Sequence, residues 1–151
     1  MLCPHPKFID ASISQAKLAL QNGEVPVGAV VVYDGEIISV AHNEVEMRND
    51  ATAHAEVLAI QRASEVLSNW RLTNCTLYVT LEPCTMCAGA IRASRISRVV
   101  YGVSDPQRGA FGSLYDLSQD TRLGSVPDVF AGVQENECKQ LLDVFFSKIR
   151  G

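Results

Sequence analysis

The chain has 151 residues, 47% of them hydrophobic and 20% charged, with a formal net charge of −4. That length fits one domain, able to bury roughly 70% of the surface its unfolded chain exposes. The negative balance speaks against general nucleic-acid affinity, so any RNA contact is expected to be local. No apolar run is long enough for a membrane span, and Met1 to Asp10 lacks the apolar core of a signal peptide. The five cysteines are an odd number, which argues against a disulfide framework. A single cytoplasmic domain over residues 1–151, with no membrane partner, is the expectation.

In chain order, Phe8, Ile9, Ile13, Ala16, Leu18 and Leu20 predict a first helix that ends near Asn22-Gly23. Val27 to Tyr33 reads as a strand, Asp34-Gly35 as a tight turn, and Glu36 to Asn43 as the return strand. A helix follows from about Ala53 to Ser68, with Thr52 as its cap and Val57, Leu58, Ile60 and Leu67 as a buried stripe. Thr76 to Leu81 is a largely apolar run rich in β-formers, as a central strand should be. Then come a helix over Cys84–Ser94, a strand over Arg98–Gly102, a loop with a short helix across Ser104–Ser125, and a strand near Val129–Val133. A last helix runs from about Asn136 to Lys148, with Leu141, Leu142, Phe145 and Phe146 on its apolar side. This is the pattern of an α/β domain: one mixed sheet with helices on both faces, whose site forms at the C-terminal ends of strands.

The chemistry is concentrated in His54-Ala55-Glu56 and Pro83-Cys84-Thr85-Met86-Cys87. Together they offer three zinc-type ligands and one carboxylate that is not needed as a ligand. Structural zinc sites close with four protein groups, whereas catalytic ones keep a position for water. His54 and Glu56, two apart, would diverge in mid-helix but converge at a helix's first turn. Cys84 and Cys87 are three apart and share a face, and Pro83 suits the first helical turn. Two helix N-termini aimed at one point favour thiolates and an activated water. A redox reading of Cys84 and Cys87 leaves His54 and Glu56 without a role, and a structural zinc knuckle lacks its fourth ligand. Cys3, Cys75 and Cys138 read as small apolar fillers or incidental thiols.

The His-x-Glu and Pro-Cys-x-x-Cys pair is similar to the signature of the zinc nucleobase deaminases. The resemblance extends through Val25-Pro-Val-Gly-Ala-Val30, Asn43, Thr52-Ala-His-Ala-Glu56, Leu77-Tyr-Val-Thr-Leu-Glu-Pro-Cys84, Met86-Cys-Ala-Gly-Ala90, Ser94-Arg-Ile96, and Asp105 with Gly109-Ala-Phe-Gly-Ser113. On these residues the chain resembles the bacterial tRNA-specific adenosine deaminases of the cytidine-deaminase superfamily. The resemblance implies a three-layer α/β/α fold around a mixed five-stranded sheet, a homodimer, and one zinc ion per subunit. The ion would be held by His54, Cys84 and Cys87, with Glu56 as proton shuttle. The implied substrate is the wobble adenosine of the arginine tRNA with an ACG anticodon, converted to inosine in its stem-loop with release of ammonia. Asn43 resembles the family's base-reading residue, and Asp105 one near the flanking ribose. Ala55, Pro83 and Phe146 complete the expected substrate contacts.

Outside the resemblance, Asn43 has a turn or capping residue as its alternative reading, and Asp105, before Pro106, reads first as a turn residue. Arg92, Arg95, Arg98, Arg108, Lys148 and Arg150 are candidates for phosphate contacts, each with solvated surface charge as its alternative. Phe145 and Phe146 are core or stacking residues, with at least one expected in the core. A zinc deaminase of a free base or nucleotide, and a non-catalytic RNA-binding role, remain open beside the tRNA reading. Asp105–Ser113 weighs against the former and Glu56 against the latter.

Overall fold

The computed structural model describes residues 3–150, apart from the side chain of Arg150. Eleven elements follow one another: α1 (Pro6–Gln21), β1 (Gly28–Tyr33), β2 (Glu36–His42), α2 (Val45–Arg48), α3 (Ala55–Leu67), β3 (Cys75–Leu81), α4 (Thr85–Ala93), β4 (Arg98–Val103), a 3-10 turn at Thr121–Leu123, β5 (Asp128–Phe130) and α5 (Glu135–Arg150). The strands form one five-stranded mixed sheet in the order β2-β1-β3-β4-β5. β1 is antiparallel to both β2 and β3, whereas β3, β4 and β5 run parallel. Asp34 and Gly35 both take positive φ, 52° and 75°, which is the backbone a two-residue hairpin turn needs.

The sheet is covered on both faces, so its strands alternate between two cores rather than between core and solvent. Ala29, Val31, Leu77, Val79, Val99 and Tyr101 point to one core with Leu58, Ala59 and Ala63 of α3 and Ala88 and Ile91 of α4. Val30, Val32, Tyr78 and Val100 point to the other, with Phe8, Ile9 and Ile13 of α1 and Cys138 of α5. This is the expected three-layer α/β/α arrangement. Two close approaches depend on glycine. A Cβ on Gly28 would strike the backbone of α1 at Ser12 and Ala16, and one on Gly102 would strike Cys138 and the Thr80 carbonyl.

Several expectations need correction. Leu18 is exposed, and Val57 and Leu67 are only half-buried, so the helical stripes are narrower than the apolar positions suggested. Cys75 does not precede β3 but opens it, fully buried. β5 stops at Phe130, short of Val133. Neither Phe145 nor Phe146 joins a core cluster: their rings meet edge to face at 5.3 Å, and Phe146 is exposed.

The short helix α2 was not foreseen. It is held by two buried carboxylates. Glu24 accepts from the backbone N–H groups of Glu46 (3.0 Å) and Met47 (2.7 Å), at the helix end where the amides lack partners. Glu44 accepts from Arg48 at 3.2 Å and from Arg62 of α3 at 3.3 Å. Both glutamates are buried because their charge is met by donors. No helix among the described residues is long and apolar enough to cross a membrane.

Candidate active site

The C-terminal end of β3 delivers Pro83 and Cys84 to the start of α4. The His42 end of β2 lies at the same sheet edge, because Gly28 pairs with His42 and Ala29 with Val79. The Glu44 N–H then donates to the Ala53 carbonyl at 3.0 Å, which brings the segment after β2 beside the start of α3. His54 is the N-cap of α3 and Cys84 the N-cap of α4, both extended, and neither makes a side-chain capping bond. Thr52 is therefore not the cap: its hydroxyl donates to Asp50 at 2.7 Å. Pro83 lies outside the first turn, ahead of Cys84, where its carbonyl accepts from the Ala110 N–H at 2.8 Å.

His54 Nδ1 stands 3.6 Å from Cys84 Sγ and 3.5 Å from Cys87 Sγ. All three ligand atoms lie within 4.8 Å of one another. A tetrahedral zinc ion with bonds of about 2.3 Å to sulfur and about 2.0 Å to nitrogen separates those atoms by roughly 3.6 Å. The donor set thus fits the ion in spacing and in chemical type, and supplies three ligands of four. Glu56, only 4% exposed, sits in the first turn of α3 two residues beyond His54.

The electrostatics follow from this crowding. Burial pushes the Glu56 carboxyl up to about 7, the Cys84 thiolate adding to the rise against its own backbone N–H and His54. A hydrogen bond from Cys87 holds the Cys84 thiol down at about 3, while Cys87 is pushed up by the same contact and by burial. His54 is raised, first by its bond to Cys84, with burial as the main opposing effect and the Arg108 charge a lesser one. A bound divalent ion deprotonates coordinating thiols outright.

Among the other expected residues, Asn43 is 7% exposed. Its Nδ2 donates to the Val25 carbonyl at 3.4 Å, and its Oδ1 is buried without a partner. An orphaned acceptor beside a site is costly unless a ligand satisfies it. The side chain of Ala55 is packed in the core, so only its backbone faces outward chemistry. Asp105 closes a turn, its Oδ1 accepting from the N–H groups of Gln107 (3.1 Å) and Arg108 (3.2 Å). Phe146 is exposed on α5, which packs against α1, β3 and β4.

The basic candidates separate. Arg92 is not an RNA-facing residue: it is buried, and its guanidinium donates to the carbonyls of Leu117, Ser118, Asp120, Gly124 and Ser125. Arg98 opens β4, at the sheet edge opposite the site, and pairs loosely with Asp128 at 3.9 Å. Arg95 and Lys148 are exposed, and Arg108 is exposed and close enough to act on His54. The side chain of Arg150 lies outside the described residues.

The MafB19-like deaminase family matches residues 4–150. A Bacillus subtilis tRNA-specific adenosine deaminase is 48% identical over 143 residues, covering 95% of this chain and 89% of that protein. The chain belongs to this deaminase family. The tRNA-specific adenosine deaminase of Haemophilus influenzae is 46% identical over 145 residues, covering 95% of this chain and 84% of its own. A solved structure from work on A-to-I editing by tRNA:A34 deaminases superposes with a TM-score of 0.87 at 44% identity, over 91% of this chain and 100% of that one. Hydrolytic deamination by a zinc-type site is the activity of such a deaminase, and the His54, Cys84 and Cys87 cluster is where this chain would hold the metal.

Proposed function

We propose that this deaminase converts the wobble adenosine of the arginine tRNA with an ACG anticodon to inosine. The observation that carries the reading is a three-ligand cluster with zinc spacing beside a buried carboxylate that ligates nothing. Zinc, when bound there, lowers the pKa of a water in the fourth position toward neutrality. Glu56 would take a proton from the attacking water as its oxygen bonds to C6, and would deliver that proton to N1. Glu56 would then take the second proton, from the new C6 hydroxyl, and pass it to the exocyclic amine, so that ammonia leaves and C6 becomes a carbonyl. Burial raises the Glu56 carboxyl and so favours its holding a proton, while a bound cation would favour its release, and the shuttle needs both.

Asn43 supplies the orphaned acceptor that a donor on the nucleoside would satisfy, and the Ala55 backbone and Pro83 ring border the base. Asp105 and Phe146 are assigned to the flanking nucleotides, Asp105 with a carboxylate already used in its turn. Arg108, exposed and near His54, is the basic residue best placed for a phosphate. A homodimer is supported by the apolar surface between α3 and α4, where exposed Trp70 adjoins Val57, Ile60, Ala90 and Ala93 around a depression of about 310 Å³. The cytoplasm is the compartment that such a substrate implies.

The test is inosine formation in an ACG anticodon stem-loop against free adenosine, cytosine and guanine, each at saturation. The stem-loop should be converted and the others poorly, because an unpaired loop base costs least to bring into a pocket. Affinity should fall with added salt on a shallow slope, since an acidic chain engages few phosphates. Equal turnover of adenosine and stem-loop would replace the tRNA reading with a free-base one.

A further inference from the structure

Glu82 stands two residues before Cys84 and is 1% exposed. Its carboxylate accepts from the backbone N–H of Asp105 at 3.0 Å on Oε1, and from those of Phe111 and Ser113 at 3.0 Å on Oε2. The Ser113 hydroxyl also donates to Oε1. A carboxylate removed from water is costly unless its lone pairs are filled, and every one of these donors comes from the single stretch 105–113. That stretch is stitched to the metal-bearing segment elsewhere too. Gly109 bridges to Cys84, and the Ala110 N–H donates to the Pro83 carbonyl at 2.8 Å. A Cβ on Gly109 would collide with the Glu82 carboxyl, so glycine lets the loop lie directly on it. The same loop carries Arg108, whose charge reaches His54.

We infer that Glu82 is a positioning residue that anchors the 105–113 loop to the Pro83–Cys87 segment and thereby sets the enzyme's grip on the nucleotides flanking the reacting base. The inference rests on the proposed function, since only an RNA loop has flanking nucleotides. A glutamine keeps the shape of Glu82 but not its role. It has one acceptor oxygen instead of two and turns an NH2 group toward amide donors, so part of the loop must leave. A loop that leaves its place takes its polar and phosphate contacts with the flanking nucleotides with it, which weakens the complex. The chemistry at C6, which belongs to Glu56 and the ligand cluster, should be touched much less.

The experiment uses the full-length, zinc-loaded protein. Glu82→Gln is made in the intact enzyme for rates and in a Glu56→Ala background for binding an ACG stem-loop without turnover. Zinc content should be unchanged. The Kd and KM for the stem-loop should rise roughly ten-fold while kcat stays within about two-fold. Amide exchange at Asp105, Phe111 and Ser113 should quicken while the amides of α3 and α4 keep their protection. Gly109→Ala, which leaves the carboxylate in place but drives a methyl group into it, should give the same pattern, and it decides the matter alone if Glu82→Gln does not fold. Unchanged stem-loop affinity and unchanged loop protection in both variants would overturn the inference, as would a fall in kcat at constant KM. If the Glu56→Ala protein itself does not bind the stem-loop, the tRNA reading fails, and amide exchange still decides whether Glu82 anchors the loop.

Discussion

His54 and Cys84 occupy the same position in two different helices, the N-cap, and their ligand atoms face each other across 3.6 Å. Cys87, one turn into α4, closes the triangle at 3.5 Å from the same nitrogen. The purified protein should therefore carry about one zinc ion per chain, three protein ligands plus an open position. Cys84→Ala/Cys87→Ala should remove the ion and lower the melting temperature, because a ligand that binds only the folded state adds to its stability. Elemental analysis and a thermal melt check both. Full zinc retention in the double variant would contradict the assignment.

Glu56→Ala should keep the zinc and the fold, since the carboxylate touches the site without ligating. Its deamination rate should drop by roughly 10²–10⁴-fold, the usual contribution of a positioned proton-transfer group. The pH dependence has a definite sign. The shuttle begins by accepting a proton, so Glu56 must start ionised, and burial has moved its carboxyl up to about 7. Single-turnover rates should fall on acidification below that value, the bound cation shifting the limb lower still. Glu56→Ala should lose this limb along with the activity.

Two thiols should be silent. Burial raises Cys75 to about 11 and Cys138 to about 12. Thiolate fractions at pH 8 of about one part in a thousand for Cys75 and about one in ten thousand for Cys138, both in buried positions, react very slowly with iodoacetamide. Peptide mapping of the labelled native protein should find both unmodified at pH 8 and still unmodified at pH 9. Chelation of the metal should open Cys84 and Cys87 to the reagent before Cys75 and Cys138 react.

Arg92 should act on stability and not on RNA affinity. Its guanidinium satisfies carbonyls spread over residues 117–125, and an ammonium group cannot reach them all. Arg92→Lys should cost about 2–4 kcal/mol, the price of leaving buried acceptors unmet. Urea unfolding followed by Trp70 fluorescence measures this. A stable variant with weakened stem-loop binding would return Arg92 to the RNA surface.

The ligand triangle was legible in the sequence because its spacing has few physical solutions: residues two apart converge only at a helix end, and residues three apart share a helical face. The strands were legible for a similar reason, as Thr76–Leu81 and Val27–Tyr33 are apolar at every position or nearly so. What escaped was set by partners distant in sequence. Thr52 is the local exception: it has the chemistry of a cap, but Asp50, two residues before it, claims its hydroxyl. Arg92 looks like any surface cation until the 117–125 loop folds over it. Glu24, Glu44 and Glu82 carry no local mark of burial, since each is buried by donors that arrive from 4 to 31 residues away. Helix α2 exists because the carboxylates of Glu24 and Glu44 hold it, which no periodicity in four residues can announce.

Gly28 has a consequence for the depth of the site. It lies against the backbone of α1, with no room for a methyl group, and it pairs with His42 at the sheet edge where the ligands gather. The next residue along β2's path, Asn43, hangs from the neighbouring strand segment through its N–H to the Val27 carbonyl at 3.1 Å. Any side chain at 28 would wedge α1 away from β1 and carry Val27, and Asn43 with it, to a new height relative to the His54, Cys84 and Cys87 cluster. The position of the orphaned amide oxygen of Asn43 is thus measured from α1, on the far side of the sheet, through a residue with no side chain.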